Sequence, residues 1–171
     1  QEFLGNYLKP NPGPMLDETG AVVGRHQGLM FYTPGQRKGL MIGGRKGARD
    51  APWYVVAKDP GRNALIVAQD SRHPLLMSCR VETEPFHWIR RPAALPERLQ
   101  ARIRHRQELQ ACRVEVLPDN RIRAVFEQPQ RAAVSGQFLA LYDGAECLGG
   151  GEIRSAEPLL QGPAGSGPQA A

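Results

Sequence analysis

Glycine and proline interrupt this sequence at short intervals, and their spacing limits the chain to short elements of secondary structure. The 171 residues include 19 glycines and 15 prolines, many of them between short apolar runs. This pattern favours many short strands over a few long helices, and a chain of this length can bury about 70% of its unfolded surface. We therefore expect a mainly β protein built from two small domains.

The first domain is expected to cover residues 1–78. Apolar residues at helical spacing in QEFLGNYLK predict the end of a linker helix over residues 1–9, stopped by the prolines that follow, and indicate a piece of a longer chain. Two β-hairpins are predicted, one over residues 15–25 and one over residues 53–69 with DPGRN as its turn. Six glycines from Gly28 to Gly47 indicate a shaped loop between the hairpins.

The second domain is expected to cover residues 79–157 and to form a small closed β-barrel. Tight turns are predicted at Asp119-Asn120 and at Asp143-Gly144, because these residue types tolerate positive φ. The glycines of LGGGE indicate a bulge or a close backbone crossing, and residues 158–171 are expected to be disordered. The six predicted strands cover residues 79–88, 99–105, 112–117, 121–126, 138–142 and 146–154.

The composition narrows the class of protein. The chain carries a net charge of +5 and has a pI near 9.4. No apolar stretch is long enough to span a membrane and the first residues lack the pattern of a signal peptide, so we expect a cytoplasmic protein with no membrane partner. Cys79, Cys112 and Cys147 form no Cys-x-x-Cys pair, which argues against a disulfide framework or a zinc site and favours buried thiols in a reducing compartment.

Arginine outnumbers lysine 18 to four, and the basic residues form two clusters. Gln36 to Arg49 contains five cations and no acid. In RIRHR, the side chains of Arg102, Arg104 and Arg106 would share one face of a strand. A guanidinium grips phosphate with two hydrogen bonds, so both clusters are compatible with nucleic-acid binding, although a solvated surface would show the same pattern.

No complete catalytic constellation is present in the sequence. The four histidines have no metal-ligand spacing, and no metal site is predicted. LGGGE lacks the Lys-Ser/Thr pair of a P-loop, and no Ser-His-Asp or Cys-His set has a recognisable spacing.

Three stretches carry a resemblance to a known family: GRHQGLMFYTPGQRKGLMIGG (residues 24–44), PWYVVAKDPGRNALIVAQ (52–69) and QPQRAAVSGQFLALYDGAECLGGGEI (128–153). In order and spacing they resemble the central and C-terminal parts of the bacterial tRNA-specific 2-thiouridylase (MnmA) family. HPLLMS, HWI and RIRHRQ fall where that family has similar text, so the resemblance covers about residues 3–155.

The resemblance implies a tRNA-modifying transferase. Such a protein uses ATP, with Mg, to activate the C2 oxygen of the wobble uridine and replaces that oxygen with persulfide sulfur. Its architecture would be a β-rich central domain followed by a six-stranded barrel resembling a translation-factor barrel. The ATP-pyrophosphatase domain and the catalytic cysteines would precede residue 1, so this chain alone is expected to be inactive, with no catalytic residue and no cofactor. The implied partners are tRNA with a wobble uridine and, for the parent protein, a sulfur-donor protein, but not DNA.

The same resemblance implies which residues hold the tRNA. The family's Arg-Tyr pair falls on Arg104-His105, and the glutamine that ends its Thr-Pro-Gly-Gln motif falls on Gln137, where this chain reads VSGQ. The predicted tRNA-binding residues are Arg104, His105, Gln137, Arg106, Arg37, Lys38, Gln36 and Arg131.

Two other functions stay open at this point. One is a translation-factor-like β-barrel module that binds RNA or protein and modifies nothing. The other is a self-sufficient enzyme acting through Cys147.

Overall fold

A computed structural model describes residues 10–43 and 51–160 of the chain. These residues divide into two compact units: one contains the described residues up to Leu76 together with Leu160, and the other spans Met77–Leu159. The predicted linker helix over residues 1–9 lies outside the described residues, as do Arg45, Lys46 and Arg49 of the first basic cluster.

The first unit is built on a four-stranded sheet. Its strands are β1 (Gly13–Leu16), β2 (Val22–His26), β3 (Tyr54–Asp59) and β4 (Ala64–Ala68), in the order β2-β1-β4-β3. The pairs β1–β2 and β3–β4 are antiparallel, which confirms both predicted hairpins, whereas β1 and β4 run parallel. Every residue of the apolar β4 strand (ALIVA) is buried, so both faces of the sheet are covered along this strand.

The described residues between the two hairpins, 27–43 and 51–53, include a loop that is hydrogen-bonded to β3. It contains a 3-10 turn at Leu29–Phe31. The Gly35 amide donates to the Val55 carbonyl at 2.7 Å, and the Val55 amide donates to the Gln36 carbonyl at 2.9 Å. The hydrophobic core of this unit consists of Met15, Tyr32, Leu40, Val55, Leu65 and Val67.

The second unit is a closed antiparallel β-barrel of six strands. The strand order is β10-β7-β8-β9-β5-β11, and pairing of β10 with β11 closes the circle, which confirms the predicted fold class. The short strand β6 lies outside the circle and pairs with β11. The strands are β5 (Met77–Thr83), β6 (His87–Trp88), β7 (Leu99–Arg102), β8 (Gln110–Val116), β9 (Ile122–Arg131), β10 (Phe138–Asp143) and β11 (Glu146–Pro158).

The interior of the barrel is filled by alternating residues of its strands. The fully or nearly fully buried side chains include Val81, Leu99, Ile103, Ile122, Leu139, Leu141 and Ile153. The glycine run on β11 allows a close backbone approach, as predicted. Gly149 has φ +154°, the register shifts between Leu141 and Tyr142, and a Cβ on Gly149 would lie 2.2 Å from the His87 carbonyl oxygen.

Several strand ends differ from the predicted ones. The predicted strand 79–88 is divided into β5 and β6, and the predicted strand 99–105 stops at Arg102. At the C-terminal end, β11 continues to Pro158 and the Leu159 amide donates to the Met77 carbonyl at 2.8 Å, so residues 158 and 159 belong to the barrel rather than to a disordered tail. The positive φ angles of Asp119 and Asn120 confirm the first predicted tight turn. The second turn lies one residue later than predicted, because Asp143 still belongs to β10 and pairs with Glu146, which leaves Gly144 and Ala145 as the turn.

Over residues 10–43 and 51–160, no helix has the length and apolar character needed to cross a membrane.

Candidate nucleic-acid interface

Some arginines of the barrel form ion pairs with carboxylates, and others do not. Residues 77–159 contain twelve arginines and eleven carboxylates, so the barrel is almost neutral as a whole. In contrast, Arg102, Arg104 and Arg106 have no carboxylate oxygen within 4.0 Å among the described residues. Uncompensated positive charge is therefore concentrated on these three neighbouring arginines, while Arg91, which also lacks a carboxylate partner among the described residues, lies over the Trp88 ring. The arginines that pair with carboxylates are Arg80, Arg90, Arg98, Arg113, Arg121, Arg123 and Arg154.

Arg102, Arg104 and Arg106 lie at the end of β7 and in the turn after it. We call residues 103–107 the arginine loop. The prediction that three arginines share one strand face is wrong, because Arg104 and Arg106 lie beyond the strand and Arg106 has φ +67°. Ile103 is buried in the barrel core, as the alternating pattern predicts, and anchors the start of the loop.

Gln107 closes the arginine loop and ties it to β9. Its Oε1 accepts a hydrogen bond from the Ile103 amide at 3.0 Å, and its Nε2 donates to Oε1 of Gln130 at 2.7 Å. Gln130 is only 3% exposed, and its own Nε2 donates to the Gln128 carbonyl at 2.7 Å. We call this series of bonds from Ile103 to Gln128 the amide chain. It holds the loop in one conformation against the end of β9.

Arg104 makes a second connection between the arginine loop and the end of β9. Its Nη2 donates to the carbonyls of Arg131 and Ala132, at 2.7 and 3.0 Å. Burial lowers the pKa of Arg104, and the charge of Arg131 lowers that pKa further. The guanidinium is thus used to join two loops, while its charge adds to that of Arg131.

The segment after β9 carries Gln137. The Gln137 amide donates to the Val134 carbonyl at 3.3 Å, and Gly136 takes φ +87° in the turn between them. Oε1 of Gln137 accepts from the Val134 amide at 3.4 Å, whereas its Nε2 has no bond to any described residue. The amide donor of Gln137 is therefore available to a ligand.

The structure thus brings Arg104, Arg131 and Gln137 to the loops at one end of β9 and β10, with His105 and Arg106 exposed in the arginine loop.

Gln36, Arg37 and Lys38 belong to the first unit. Oε1 of Gln36 accepts from the Thr33 amide at 3.1 Å, and its Nε2 donates to the Lys38 carbonyl at 2.9 Å. Both ends of this side chain are therefore used to shape the loop. Arg37 and Lys38 are exposed, and neither forms an ion pair with a described residue.

Sequence reasoning missed three features of this region. Phe138 is 67% exposed directly after Gln137, and the alternation in FLALY could have placed it opposite the buried Leu139 and Leu141. Arg102 donates to the Tyr142 hydroxyl at 2.5 Å and lies 5.0 Å from the centre of its ring. The Gln107–Gln130 bond joins residues 23 apart in the chain, so no local signal could have found it.

Only one of the three thiols, that of Cys112, is buried, although the sequence predicted buried thiols. Burial raises the pKa of Cys112 to about 12, so this thiol stays neutral at physiological pH. Cys79 and Cys147 are partly exposed, and no cluster of His, Cys, Asp or Glu in the described part of the chain could hold a metal ion. Nothing in this geometry favours a reaction at Cys147.

Comparisons with known proteins give the class of each unit. Residues 1–69 match the family described as the tRNA methyl transferase PRC-barrel domain, and residues 78–153 match the aminomethyltransferase beta-barrel domain. The two matches lie on either side of the boundary at Leu76 and Met77.

Relatives match along nearly the whole chain. The tRNA-specific 2-thiouridylase MnmA of Halorhodospira halophila is 51% identical over 94% of this chain, and that of Chromohalobacter salexigens is 52% identical over 90%. The protein of the same name from Stutzerimonas stutzeri is 49% identical over 94% of the chain. The chain belongs to this tRNA-specific 2-thiouridylase family, as its sequence motifs indicate. It covers 40 to 44% of the length of these three relatives.

Proposed function

We propose that this chain is the tRNA-recognition part of a tRNA 2-thiouridylase that thiolates C2 of the wobble uridine. The observation that carries the proposal is the arginine loop. Its cations lack carboxylate partners while seven other arginines of the same barrel have them. A fixed loop with uncompensated guanidinium groups suits a phosphate backbone, which supplies the missing negative charge.

Within this proposal the residues have different tasks. Arg106 and His105 contact the RNA from the exposed part of the loop, the first through phosphate and the second through its flat ring. The Nε2 donor of Gln137 bonds to a base or a sugar. Arg104 and Arg131 contribute positive charge beside them, and Arg37 and Lys38 give the first unit its own phosphate contacts.

The chemical steps are assigned to other parts of the protein. ATP with Mg, the persulfide cysteines and the contact with a sulfur-donor protein belong, in this proposal, to the portion of the relatives that this chain does not cover. The isolated chain is then a binding unit without activity, and it acts in the cytoplasm, where its tRNA substrate is found. This proposal is favoured over a barrel module with no modification role because the relatives are named as 2-thiouridylases.

A salt titration of RNA binding tests the proposal. The 171-residue chain should bind unmodified tRNA with a wobble uridine more tightly than duplex DNA of equal phosphate count. Arg106→Ala should weaken tRNA binding and reduce the slope of log K against log salt by about one, because one phosphate contact is lost.

Arg90→Ala is the matched control. Arg90 is also an exposed barrel arginine, but it pairs with Glu146 at 2.6 Å beside the turn that joins β10 to β11. Its removal should leave the slope unchanged. Equal affinity for tRNA and DNA, or the same effect from both variants, would refute the proposal.

A further inference from the structure

Phe138 is a large apolar side chain exposed at the edge of the charged region. It is the first residue of β10, where Leu139 and Leu141 point into the core with no exposed surface. The period of two along a strand therefore turns Phe138, Ala140 and Tyr142 to the outside of the barrel. Because the Phe138 ring is largely exposed, burial in the barrel core does not explain its presence at this position.

The register of β10 with β7 places Phe138 at the same end of these two strands as the arginine loop. Ala140 pairs with Arg102, and the strands are antiparallel. Arg104 lies two residues after Arg102, and Phe138 lies two residues before Ala140. Because the strands are antiparallel, Phe138 and Arg104 are therefore at the same end of this ladder. On the other side, Phe138 is opposite Glu152 of β11, which bounds the region with a negative charge.

Arg102 and Tyr142 complete the outer surface along these two strands. The Arg102 guanidinium lies against the Tyr142 ring and bonds to its hydroxyl, so both side chains are held in place. We call Phe138, Arg102 and Tyr142 the outer strip. Of its two aromatic rings, that of Phe138 has the large exposed surface, and it lies next to Gln137 with its unused amide donor.

We propose that Phe138 is a stacking platform for an unpaired RNA base. This inference rests on the proposed function and names the chemistry at the same surface. A nucleotide within an RNA strand has a base with a flat apolar face and a phosphate on each side of its ribose. The ring of Phe138 matches the first, and the uncompensated charge of Arg104 and Arg106 matches the second. A protein partner would need a wider apolar patch than this single ring, which lies opposite the carboxylate-bearing Glu152.

Binding of two RNA molecules tests the platform. One is an anticodon stem–loop with 2-aminopurine in its loop, and the other is a fully paired RNA duplex of equal phosphate count. Phe138→Ala should raise the Kd for the stem–loop by about 5- to 150-fold, the loss associated with one base stacked on an aromatic ring, and should abolish the quenching of 2-aminopurine. The Kd for the duplex should not change, because its bases are not accessible.

Separate controls show whether Phe138→Ala acts through a change in charge or through a change in folding. The salt dependence of stem–loop binding should be the same for Phe138→Ala and the unchanged chain, because no ion is removed. Phe138→Trp keeps an aromatic ring at this position, so it should bind the stem–loop and quench 2-aminopurine as the unchanged chain does. Ile89→Ala removes a side chain of similar exposure, 69%, from the segment after β6 and should leave binding unchanged. Equal thermal unfolding of all variants shows that the barrel is intact.

The outcomes separate the two proposals. If the unchanged chain binds the stem–loop no better than the duplex, the proposed function itself fails. If the unchanged chain prefers the stem–loop but Phe138→Ala binds it equally well, or loses affinity for both RNAs alike, the stacking platform is refuted alone. Loss of self-association in Phe138→Ala with RNA binding unchanged would assign the ring to a protein interface and would equally refute it.

Discussion

Replacing Gln107 by alanine tests whether the amide chain fixes the arginine loop. The change removes the acceptor of the Ile103 amide and the donor to Gln130. Gln130 is only 3% exposed, so its Oε1 is left buried without a partner. One buried unsatisfied polar group costs about 1–3 kcal/mol. We therefore expect the barrel to lose about 1–3 kcal/mol of stability, a large share of the total for a small domain.

Urea denaturation followed by tryptophan fluorescence measures this loss. Trp88 packs against Phe86, with ring centres 4.7 Å apart, and reports on the barrel, so the measurement is made in a Trp53→Phe background. With a slope of about 1–3 kcal/mol per molar urea, the midpoint should fall by about 1 M. Binding of tRNA should weaken as well, with an unchanged salt slope, because the loop loses its fixed position and keeps its charges.

Gln110→Ala is the control for Gln107→Ala. The Gln110 side chain donates at 3.2 Å to the exposed Glu108 carbonyl, where water can replace it, so the expected loss is below about 0.5 kcal/mol. Equal midpoints for the two variants would show that the amide chain contributes no more than an exposed hydrogen bond, and the reasoning would be refuted.

Two further predictions concern the barrel. Gly149→Ala should lower the free energy of unfolding, measured by urea denaturation, by about 2–6 kcal/mol, because of backbone strain at φ +154° and the contact with the His87 carbonyl. Gly144 has φ +57° and open space around it, so Gly144→Ala should lower it by only about 1 kcal/mol. Equal losses would disprove the close approach at Gly149. Because burial raises its pKa to about 12, Cys112 should be a thiolate in only about one molecule in 10,000 at pH 8. Alkylation monitored by mass spectrometry should therefore modify Cys79 and Cys147 first. If Cys112 of the folded chain reacted at the same rate as these two, its burial would be contradicted.

The elements predictable from sequence are those with local signals. Alternation of apolar and polar residues identified the barrel strands, and turn-forming pairs such as Asp119-Asn120 identified where the chain reverses. The end of β7 was not predictable from alternation, because the pattern of RIRHR continues past the strand. Its end depends on the turn closed by Gln107 and on the left-handed conformation of Arg106.

The candidate site was predictable in its residue types but not in its connections. Family motifs pointed to Arg104 and Gln137. The bonds that organise them join residues 23 to 28 positions apart, from Gln107 to Gln130 and from Arg104 to Arg131 and Ala132. Such pairs depend on how the barrel closes, which no local pattern contains. The exposed position of Phe138 did have a local signal, because the alternation of FLALY places it opposite Leu139.

The balance of charges indicates where RNA specificity can come from. The barrel has nearly as many carboxylates as arginines, so its total charge attracts a nucleic acid only weakly. What distinguishes the arginine loop is how each guanidinium is used: that of Arg104 is bonded to two carbonyls, and that of Arg106 is left without a carboxylate. Preference for one RNA over another must then depend on the positions of a few fixed groups. Variants that keep every charge, such as Gln107→Ala and Phe138→Ala, should therefore lower RNA affinity with the salt slope unchanged, whereas Arg106→Ala should lower both.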